Sequence, residues 1–451
     1  MKNLSWLRAI SANLYRRKER FHRIHWGLRL ACLFALALTA CAPGSNAQSP
    51  LSNGDIQPTR TPAPLPTLTP VPTSPPRQLI SIWLDWEYEE LQGLYDVLER
   101  YMQQTPQVEF AITYYPREQL LEAFEIAAAT GEGPSILLGP SSWGPSLREQ
   151  GFVLNLSPLL DPGMESDVHP IAWTQAAKGT QLFGLPLELQ GIVLYRNRSL
   201  AAQPVANVEE WLQIAEQMKL ENRNAIALDL EVKNSLPMMA ACGDDVFDLR
   251  GEILVFDQGG ECWLGLLARL GDLGSVIFAS EEDVDLFKSG QTAWLIASTT
   301  LRDDLTEAIG VTNLKVDPWP QYEKEGFPLR GFTWSENIYL VAGSTESNLE
   351  ASWKFVQFLF GNEGQEILSD PGGAAHIPTT SVIEPPDSLM LEASSMLRAG
   401  IPFPLESELD IVQEPLLAAI QVVVSQGADP GFALRMAEER YELLRSSSLS
   451  N

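Results

Sequence analysis

Between residues 79 and 139 the chain alternates short apolar runs with longer amphipathic segments. The apolar runs are rich in β-prone residues and are typical of buried strands; they cover residues 79–84, 108–115 and 135–139. Residues 88–102 and 117–129, which separate them, carry apolar side chains at helical spacing. The order strand, helix, strand, helix, strand is that of a parallel sheet covered by helices. We therefore expect an α/β fold.

A glycine-containing loop lies inside this region. Residues 131–134 read Gly-Glu-Gly-Pro and follow a predicted helix, whereas the glycine loop of a dinucleotide site follows a strand. The sequence therefore does not predict a nucleotide site here.

Two of the predicted strands end in tryptophan with polar neighbours. Asp85, Trp86 and Glu87 follow the first strand, and Ser142 and Trp143 follow the third. Ligands of open α/β sheets bind outside the carboxyl ends of the strands. A single tryptophan is more often packed in the core, but a pair at equivalent strand ends favours a binding site.

The N-terminal segment is basic and then apolar. Residues 30–40 form an apolar run that is too short for a spanning helix, which needs about 20 residues. Such a run fits a secretory signal peptide. Leu38, Thr39, Ala40 and Cys41 resemble the lipobox of bacterial lipoproteins, in which the chain is cut before the cysteine and the thiol is lipidated. We expect residues 1–40 to be the signal peptide and Cys41 the lipidated residue; an uncleaved signal anchor is the alternative.

Residues 41–77 are rich in proline, threonine and serine. A segment of this composition cannot bury a core and behaves as an extended, semi-rigid spacer. We expect it to be a linker between a lipid anchor and the globular part.

The formal net charge of the 451 residues is −27. Residues 1–40 contribute eight basic side chains and one acidic one, a net of +7, so the remainder carries −34. A body this acidic repels phosphate backbones, and we expect no nucleic-acid partner. The charge is explained either by solubility or by an acidic cleft for a cationic ligand.

The cysteines and histidines limit metal chemistry. Only Cys242 and Cys262 lie in the globular part, no CxxC pair exists, and His169 and His376 are the histidines beyond residue 40. A zinc site made of cysteine and histidine is therefore not expected, and we predict no metal and no cofactor. Export implies an oxidising compartment, so we expect a Cys242–Cys262 disulfide worth about 3 kcal/mol. Two buried free thiols are the alternative.

Several fragments together resemble the extracellular solute-binding proteins of ATP-binding-cassette importers, of the carbohydrate or maltose-binding type. The resemblance covers nearly all of residues 79–445. It is carried by the order and spacing of fragments none of which is specific alone: residues 82–83, 129–136, 149–156, 183–186, 194–197, 287–294 and 351–359.

This resemblance implies an α/β, two-lobed, periplasmic-binding-protein-like fold of type II, with mixed sheets flanked by helices and a hinge between the lobes. Lobe one would comprise residues 78–188 plus 338–385, and lobe two residues 189–334 plus 386–451. The implied role is capture of a solute, a sugar or oligosaccharide, for delivery to a membrane permease by a monomer that is exported and lipid-anchored on the outer face of the cell membrane.

The resemblance also implies ligand-contact positions. They fall on Asp85, Trp86, Glu87, Ser142, Trp143, Gln190 and Thr300. We add Trp334, whose ring could stack on a sugar. Carboxylates and amides can hydrogen-bond to sugar hydroxyls, and indole rings can stack on the C–H faces.

The chain departs from the family pattern at two strand ends. Ser298, Thr299 and Thr300 stand where Gly-Pro-Trp is frequent, and Ser142 stands where an aspartate is common. The loss of an aromatic platform leaves a polyamine or other non-sugar solute as an alternative.

Two further alternatives remain open. A surface-anchored glycoside hydrolase would need two carboxylates about 5 to 9 Å apart, which Asp85, Glu87 and Glu188 could supply. A sensor that serves a receptor kinase would bind the same solute. No nucleophile motif or phosphate-binding loop is found, and we predict no catalytic residue and no enzymatic activity.

Overall fold

Three parallel strands begin the globular part. β1 (Gln78–Leu84) lies between β2 (Val108–Tyr114) and β3 (Ile136–Pro140), so that Ile82 pairs with Ile112 on one side and with Ile136 on the other. The connections are helix α1 (Tyr88–Gln104) and helix α2 (Arg117–Thr130). The predicted parallel βαβ order of this region is confirmed.

The computed structural model describes residues 77–248, 252–256, 259–323, 326–405 and 408–448. The expected signal peptide, Cys41 and residues 41–76 of the linker lie outside this part of the chain. Within it, no helix is both long enough and apolar enough to cross a bilayer.

One long strand connects the two halves of the main sheet. β6 (Leu185–Asn197) pairs with β11 (Phe332–Leu340) through residues 185–191, and with β9 (Thr292–Ser298) and β10 (Leu314–Asp317) through residues 192–197. All three pairings are antiparallel. Gly191 lies where the pairing changes, opposite Thr333.

The main sheet is therefore mixed. Its remaining strands are β7 (Asn224–Asp229), β8 (Gly274–Ile277) and β12 (Ile401–Pro402). The hydrogen-bonded order is β2-β1-β3-β11-β6-β9-β7-β8, with β10 on β6 and β12 on β11. A separate hairpin joins β4 (Ala177–Lys178) and β5 (Gln181–Leu182).

Helices flank the sheet. The short ones are α3 (Gly144–Glu149), α4 (Pro162–Asp167), α5 (Pro170–Trp173), α7 (Val232–Ser235), α9 (Glu282–Lys288), α10 (Arg302–Ile309) and α12 (Asn362–Leu368). The longer ones are α6 (Val208–Leu220), α8 (Gly260–Leu270), α11 (Glu346–Phe360), α13 (Ser388–Arg398), α14 (Glu408–Gln426) and α15 (Pro430–Ser448).

Two large apolar cores lie against the sheet, and β6 contributes to both. Its Ile192 and Leu194 pack in a core with Trp211, Trp263 and Trp294. Its Val193 and Tyr195 point to the opposite face and join the core that contains Ile80 and Ile82. Successive side chains of a strand alternate between faces, so one strand supplies both cores. The lobe boundaries expected from the sequence stay a prediction.

The structure joins Cys242 and Cys262 as the sequence predicts, with Cα atoms 6.1 Å apart. Cys242 ends a 3₁₀ helix (Leu236–Cys242), and Cys262 lies in the first turn of α8. The geometry is compatible with a disulfide, for which Cα separations of about 4.4 to 6.8 Å are normal.

Candidate functional site

A cavity of about 400 Å³ opens at the carboxyl end of β1. Its walls come from the ends of β1 and β2, the middle of β6 and β11, the turn after β9, and the loop after α12. The lining residues are Asp85, Trp86, Glu87, Glu90, Tyr114, Pro116, Arg117, Glu118, Glu188, Gln190, Thr299, Thr300, Arg302, Asp303, Asp304, Glu336, Ala374 and Ile377. Five of the eight predicted ligand positions are among them: Asp85, Trp86, Glu87, Gln190 and Thr300.

The residues after β1 have different roles in this wall. Asp85 is buried and pairs with Arg117, whose Nη1 lies 3.5 Å from Asp85 Oδ2. Trp86 is only 3% exposed; it donates weakly to Glu336 Oε1 at 3.4 Å and packs edge-on against His376. Glu87 is exposed at the start of α1. Asp85 and Glu87 are thus the polar groups here, and the indole face is mostly covered by protein.

Gln190 is held by protein groups at both ends of its amide. Its Nε2 donates to Glu188 Oε2 at 2.8 Å, and its Oε1 accepts from Trp334 Nε1 at 3.0 Å. Trp334 does not line the cavity, and Lys233 Nζ lies 4.3 Å from the centre of its ring. Trp334 therefore orients Gln190 instead of presenting a free face to a ligand.

Thr300 lies in a 3₁₀ turn (Thr299–Leu301) directly after β9. Its hydroxyl donates to Ser298 Oγ at 2.9 Å and its side chain is exposed. Beside it, Arg302 donates from Nη1 to the carbonyl of Ala375 at 2.6 Å and from Nε to Asp303 at 2.8 Å. The turn thereby brings a guanidinium group to the cavity wall.

Ser142 and Trp143 follow β3 as expected but do not line this cavity. The chain turns at once into a 3₁₀ helix (Ser141–Trp143). The Trp143 ring folds back over Gly139, where a Cβ would lie 2.3 Å from a ring carbon, so the missing side chain makes room for the indole. Ser142 is exposed to solvent.

Sequence reasoning missed several lining residues. Tyr114 ends β2 and is half exposed, and Arg117 follows it. Because β2 is parallel to β1, its carboxyl end lies at the same edge, and the strand-end rule would have found both. Glu336 and His376 come from distant segments and carry no comparable signal.

The cavity is strongly acidic. Eight lining residues carry carboxyl groups and two carry guanidinium groups. Burial raises the pKa of Asp85, an effect that Arg117 partly offsets. Burial also holds the pKa of Glu336 well above its usual range, and the nearby Asp85 adds to it. Both shifts favour the protonated form of these carboxyl groups, and a protonated carboxyl can donate a hydrogen bond as well as accept one.

Glu90, Glu188 and His376 form a compact group on one wall. His376 Nε2 lies 3.7 Å from Glu90 Oε1 and 3.8 Å from Glu188 Oε2. Burial raises the pKa of Glu188, and the adjacent imidazole opposes this shift. For His376, burial acts to lower the pKa, but the two carboxylates more than offset it and the pKa is raised. The pKa values of the carboxyl groups and of the imidazole therefore depend on one another at the edge of the cavity.

The cavity is a polar, partly enclosed space of ligand size, and its walls carry both hydrogen-bond donors and hydrogen-bond acceptors. Small-molecule sites are typically about 300 to 1,000 Å³, and this cavity lies within that range. The described residues at its walls include the aromatic ring of Tyr114, the guanidinium groups and the carboxyl groups.

Residues 96–393 match the family model described as bacterial extracellular solute-binding protein. The chain belongs to this family. The match begins within α1, ends within α13 and includes most of the residues around the cavity. The fold class expected from the sequence, an α/β two-lobed binding-protein fold, is therefore confirmed together with the family.

A relative of this solute-binding protein is a maltotriose-binding protein from Pyrococcus abyssi (strain GE5 / Orsay). It is 21% identical over 290 residues, which cover 63% of this chain and 62% of the relative. The alignment thus spans less than two thirds of the relative's length.

Solved structures show the same fold. A cyclo/maltodextrin-binding protein in complex with maltotetraose has a TM-score of 0.71 at 18% identity, covering 82% of this chain and 98% of that chain. The extracellular solute-binding protein from Staphylococcus aureus in complex with maltose has a TM-score of 0.70 at 17% identity, covering 82% of this chain and 98% of that chain. The GacH receptor of Streptomyces glaucescens GLA.O, studied with acarbose, has a TM-score of 0.65 at 19% identity, covering 82% of this chain and 98% of that chain.

Proposed function

We propose that this chain captures a small sugar or oligosaccharide in the cavity at the end of β1 and delivers it to a membrane permease. The observation that carries the proposal is the cavity itself, with its polar lining and its position at the carboxyl ends of parallel strands. Membership of a solute-binding family supports capture, and the maltooligosaccharides named for the relatives support a sugar.

The chemistry of the wall fits hydroxylated rings. Glu87, Thr300 and Arg117 are exposed in the cavity and can accept or donate hydrogen bonds to hydroxyl groups. The half-exposed Tyr114 can pack its ring on the C–H face of a sugar and exclude water. Tyr114 takes the role that the sequence assigned to Trp86, Trp143 and Trp334.

Calorimetric titration with maltotriose tests this proposal. We expect one site per chain, and an affinity lowered about fivefold by Tyr114→Ala, since an aromatic contact is worth about 1 kcal/mol. Tyr95→Ala is the matched control, because Tyr95 is equally exposed but does not line the cavity. Absence of heat with maltotriose, maltose and maltotetraose would reject a maltooligosaccharide as the solute.

A cationic solute such as a polyamine is the second candidate, favoured by the excess of carboxyl over guanidinium groups in the wall. Spermidine titrated under the same conditions separates the two. Binding of spermidine without binding of maltotriose would identify a polyamine as the solute.

Capture without hydrolysis is part of the proposal. The family and the relatives are binding proteins. Incubation of maltotriose with the purified chain should release no glucose or maltose, whereas a glycoside hydrolase would release them.

We further propose that the two lobes expected from the sequence close over the solute about a hinge at Gly191 and Thr333, where β6 changes its pairing partner. Closure would change the surface that a permease recognises. Pull-down of the closed, solute-loaded chain with an importer permease tests delivery, and recovery of a receptor kinase instead would indicate sensing.

Membrane attachment rests on the sequence of the N-terminal segment. We propose that the chain is exported, cut before Cys41 and lipidated there, and that it acts as a monomer. Metabolic labelling with palmitate should mark the wild type and not Cys41→Ala. Equal labelling of Cys41→Ala would contradict the assignment.

A further inference from the structure

Three side chains from three separate segments meet beside the cavity. Glu90 lies in the first turn of α1, Glu188 in β6, and His376 in the loop after α12. One nitrogen or oxygen atom of each lies within 4.8 Å of those of the other two. The imidazole Nε2 is 3.7 Å from Glu90 Oε1 and 3.8 Å from Glu188 Oε2.

His376 is buried without a hydrogen-bond partner for its ring. Its side chain is 2% exposed, and among the described residues neither Nδ1 nor Nε2 makes a hydrogen bond. A buried polar group left unsatisfied is costly to the fold, and a bound ion can supply the partner that the protein does not provide.

Hydrogen bonds hold the three segments in place, and a carboxylate oxygen that accepts one hydrogen bond retains a second lone pair. Glu90 Oε2 accepts from the backbone N–H of Glu87 at 2.8 Å, and Oε1 is directed to the imidazole. Glu188 Oε2 accepts from Gln190 Nε2 at 2.8 Å. The backbone N–H of His376 donates to the carbonyl of Leu368 at 2.8 Å. The carbonyl of the next residue, Ile377, accepts from the backbone N–H of Leu189.

We propose that Glu90, Glu188 and His376 bind a divalent transition-metal ion of the zinc class. One imidazole nitrogen and two carboxylate oxygens suit such ions, and three protein ligands leave a coordination position open. Ligands of a tetrahedral zinc ion lie about 3.4 Å apart, given bond lengths near 2.1 Å. The two nitrogen-to-oxygen distances, 3.7 and 3.8 Å, are slightly longer than this, and the three atoms all lie within 4.8 Å of one another, so the side chains would move closer together to bind an ion.

The open position would face the cavity, because Glu90 and Glu188 line it. The indole of Trp86 packs edge-on against the imidazole with ring centres 4.7 Å apart and shields the other side. Arg302, the cation beside the group, is directed to Ala375 and Asp303. The proposal is independent of the identity of the solute.

The sequence did not reveal this site. The few cysteines and histidines of the globular part argue only against zinc sites built from those two residue types. Two glutamates 98 residues apart and a histidine in a distant loop have no recognisable spacing.

The test is titration of the full-length chain with Zn²⁺ after removal of metals with EDTA, with no sugar present. Isothermal calorimetry should show a Zn²⁺ site that is lost or weakened at least tenfold in both His376→Gln and Glu188→Gln. Replacing even a residue that only orients a metal ligand costs about 10- to 100-fold in affinity, so removal of a direct ligand should cost at least as much. Mg²⁺ should bind more weakly, since it prefers oxygen ligands.

Two control variants separate the site from general effects. Glu118→Gln removes an exposed carboxylate from the same cavity, and His169→Gln removes the other described histidine; both should bind Zn²⁺ like the wild type. His22 and His25 stay in every variant. Zn²⁺ binding that persists unchanged in His376→Gln and Glu188→Gln would belong elsewhere and would overturn the proposal.

A measurement on the wild type covers the case in which a variant fails to fold. In nuclear magnetic resonance spectra of the chain labelled with ¹⁵N-histidine, one buried imidazole should change its nitrogen shifts on addition of one equivalent of Zn²⁺. Spectra in which no buried imidazole responds would overturn the proposal. A negative result leaves sugar capture untouched, because maltotriose titration measures that separately.

Discussion

Arg302 donates a hydrogen bond from Nη1 to the backbone carbonyl of Ala375, with 2.6 Å between the two atoms. Arg302 begins α10, directly after the turn that follows β9, whereas Ala375 lies in the loop after α12. The bond therefore joins two walls of the cavity that come from segments more than 70 residues apart. If the predicted lobe boundaries hold, it also joins the two lobes.

Removal of this bond should favour an open cavity. A hydrogen bond from a charged donor contributes about 1.5 to 3 kcal/mol, so Arg302→Ala should raise the open population at least tenfold. Small-angle X-ray scattering of the solute-free chain should show a larger radius of gyration. Arg148→Ala is the control, because Arg148 donates to the nearby carbonyl of Val153. Equal radii of gyration for Arg302→Ala and the wild type would contradict a role of the Arg302–Ala375 hydrogen bond in holding the cavity closed.

A buried ion pair near the end of β6 should be important for stability. Arg196 Nε lies 2.8 and 2.7 Å from the two oxygens of Asp317, and Trp294 Nε1 donates to the same carboxylate at 3.1 Å. Asp317→Ala leaves a buried guanidinium group without its counter-charge, and we expect a loss of about 3 to 5 kcal/mol. Urea unfolding monitored by circular dichroism measures it.

An exposed pair provides the comparison. Lys354 and Glu350 form a surface ion pair on α11, and Glu350→Ala should leave the free energy of unfolding almost unchanged because solvent screens the pair. Similar losses for Asp317→Ala and Glu350→Ala would show that burial of the Arg196 pair has no energetic role.

Asp283 should make the stability of the fold depend on pH. Burial raises its pKa from 3.8 to about 6, and the nearby Asp229 and Glu231 add to the shift. Between these values the folded chain retains a proton that the unfolded chain releases, so the contribution of Asp283 to stability falls as pH rises from about 4 to about 6. Asp283→Asn should therefore be more stable than the wild type by about 2 kcal/mol at pH 8 and equal to it near pH 3.5.

Urea unfolding of both proteins across that pH range measures the difference. Asp285→Asn removes an exposed negative charge from the same helix and controls for net charge. A difference between Asp283→Asn and the wild type that is constant from pH 4 to pH 8 would refute the assignment to this carboxyl group.

The Cys242–Cys262 bond should be present in the exported protein. The two cysteines are 20 residues apart, and closing a loop of that length stabilises the fold by about 3 kcal/mol through the unfolded chain. Thiol labelling in urea should find two more reactive thiols after reduction than before. Cys242→Ser should lower stability by the same amount in non-reducing buffer; equal thiol counts with and without reductant would contradict the bond.

The first strands and helices were predictable because their apolar periodicity is strong. Residues 79–84 and 117–129 were expected as strand and helix, and the structure extends each by one residue at one end. β11 is harder to recognise in the sequence. It begins at Phe332 and includes Ser335, Glu336 and Asn337, which are buried polar residues that pair with β6 and β3 and lack the apolar character typical of a buried strand.

The site was predictable where one rule applies. Asp85, Glu87 and Thr300 follow strands directly, and the strand-end rule places them at the cavity. The rule fails for Trp143 because Gly139 lets its ring fold back on the preceding strand. It says nothing about His376 or Glu336, whose positions depend on how a distant loop and a second strand pack against β6.

The double pairing of β6 has a practical consequence for protein engineering. Each half of this strand supplies backbone hydrogen bonds to a different set of neighbours. A fragment that ends at Gly191 would leave residues 185–191 of β6 without β11, and one that begins at Gly191 would leave the edge of β11 without most of its β6 partner. Unpaired strand edges promote aggregation. The two halves are thus poor candidates for separate expression, for split reporters, or for exchange between relatives at this point.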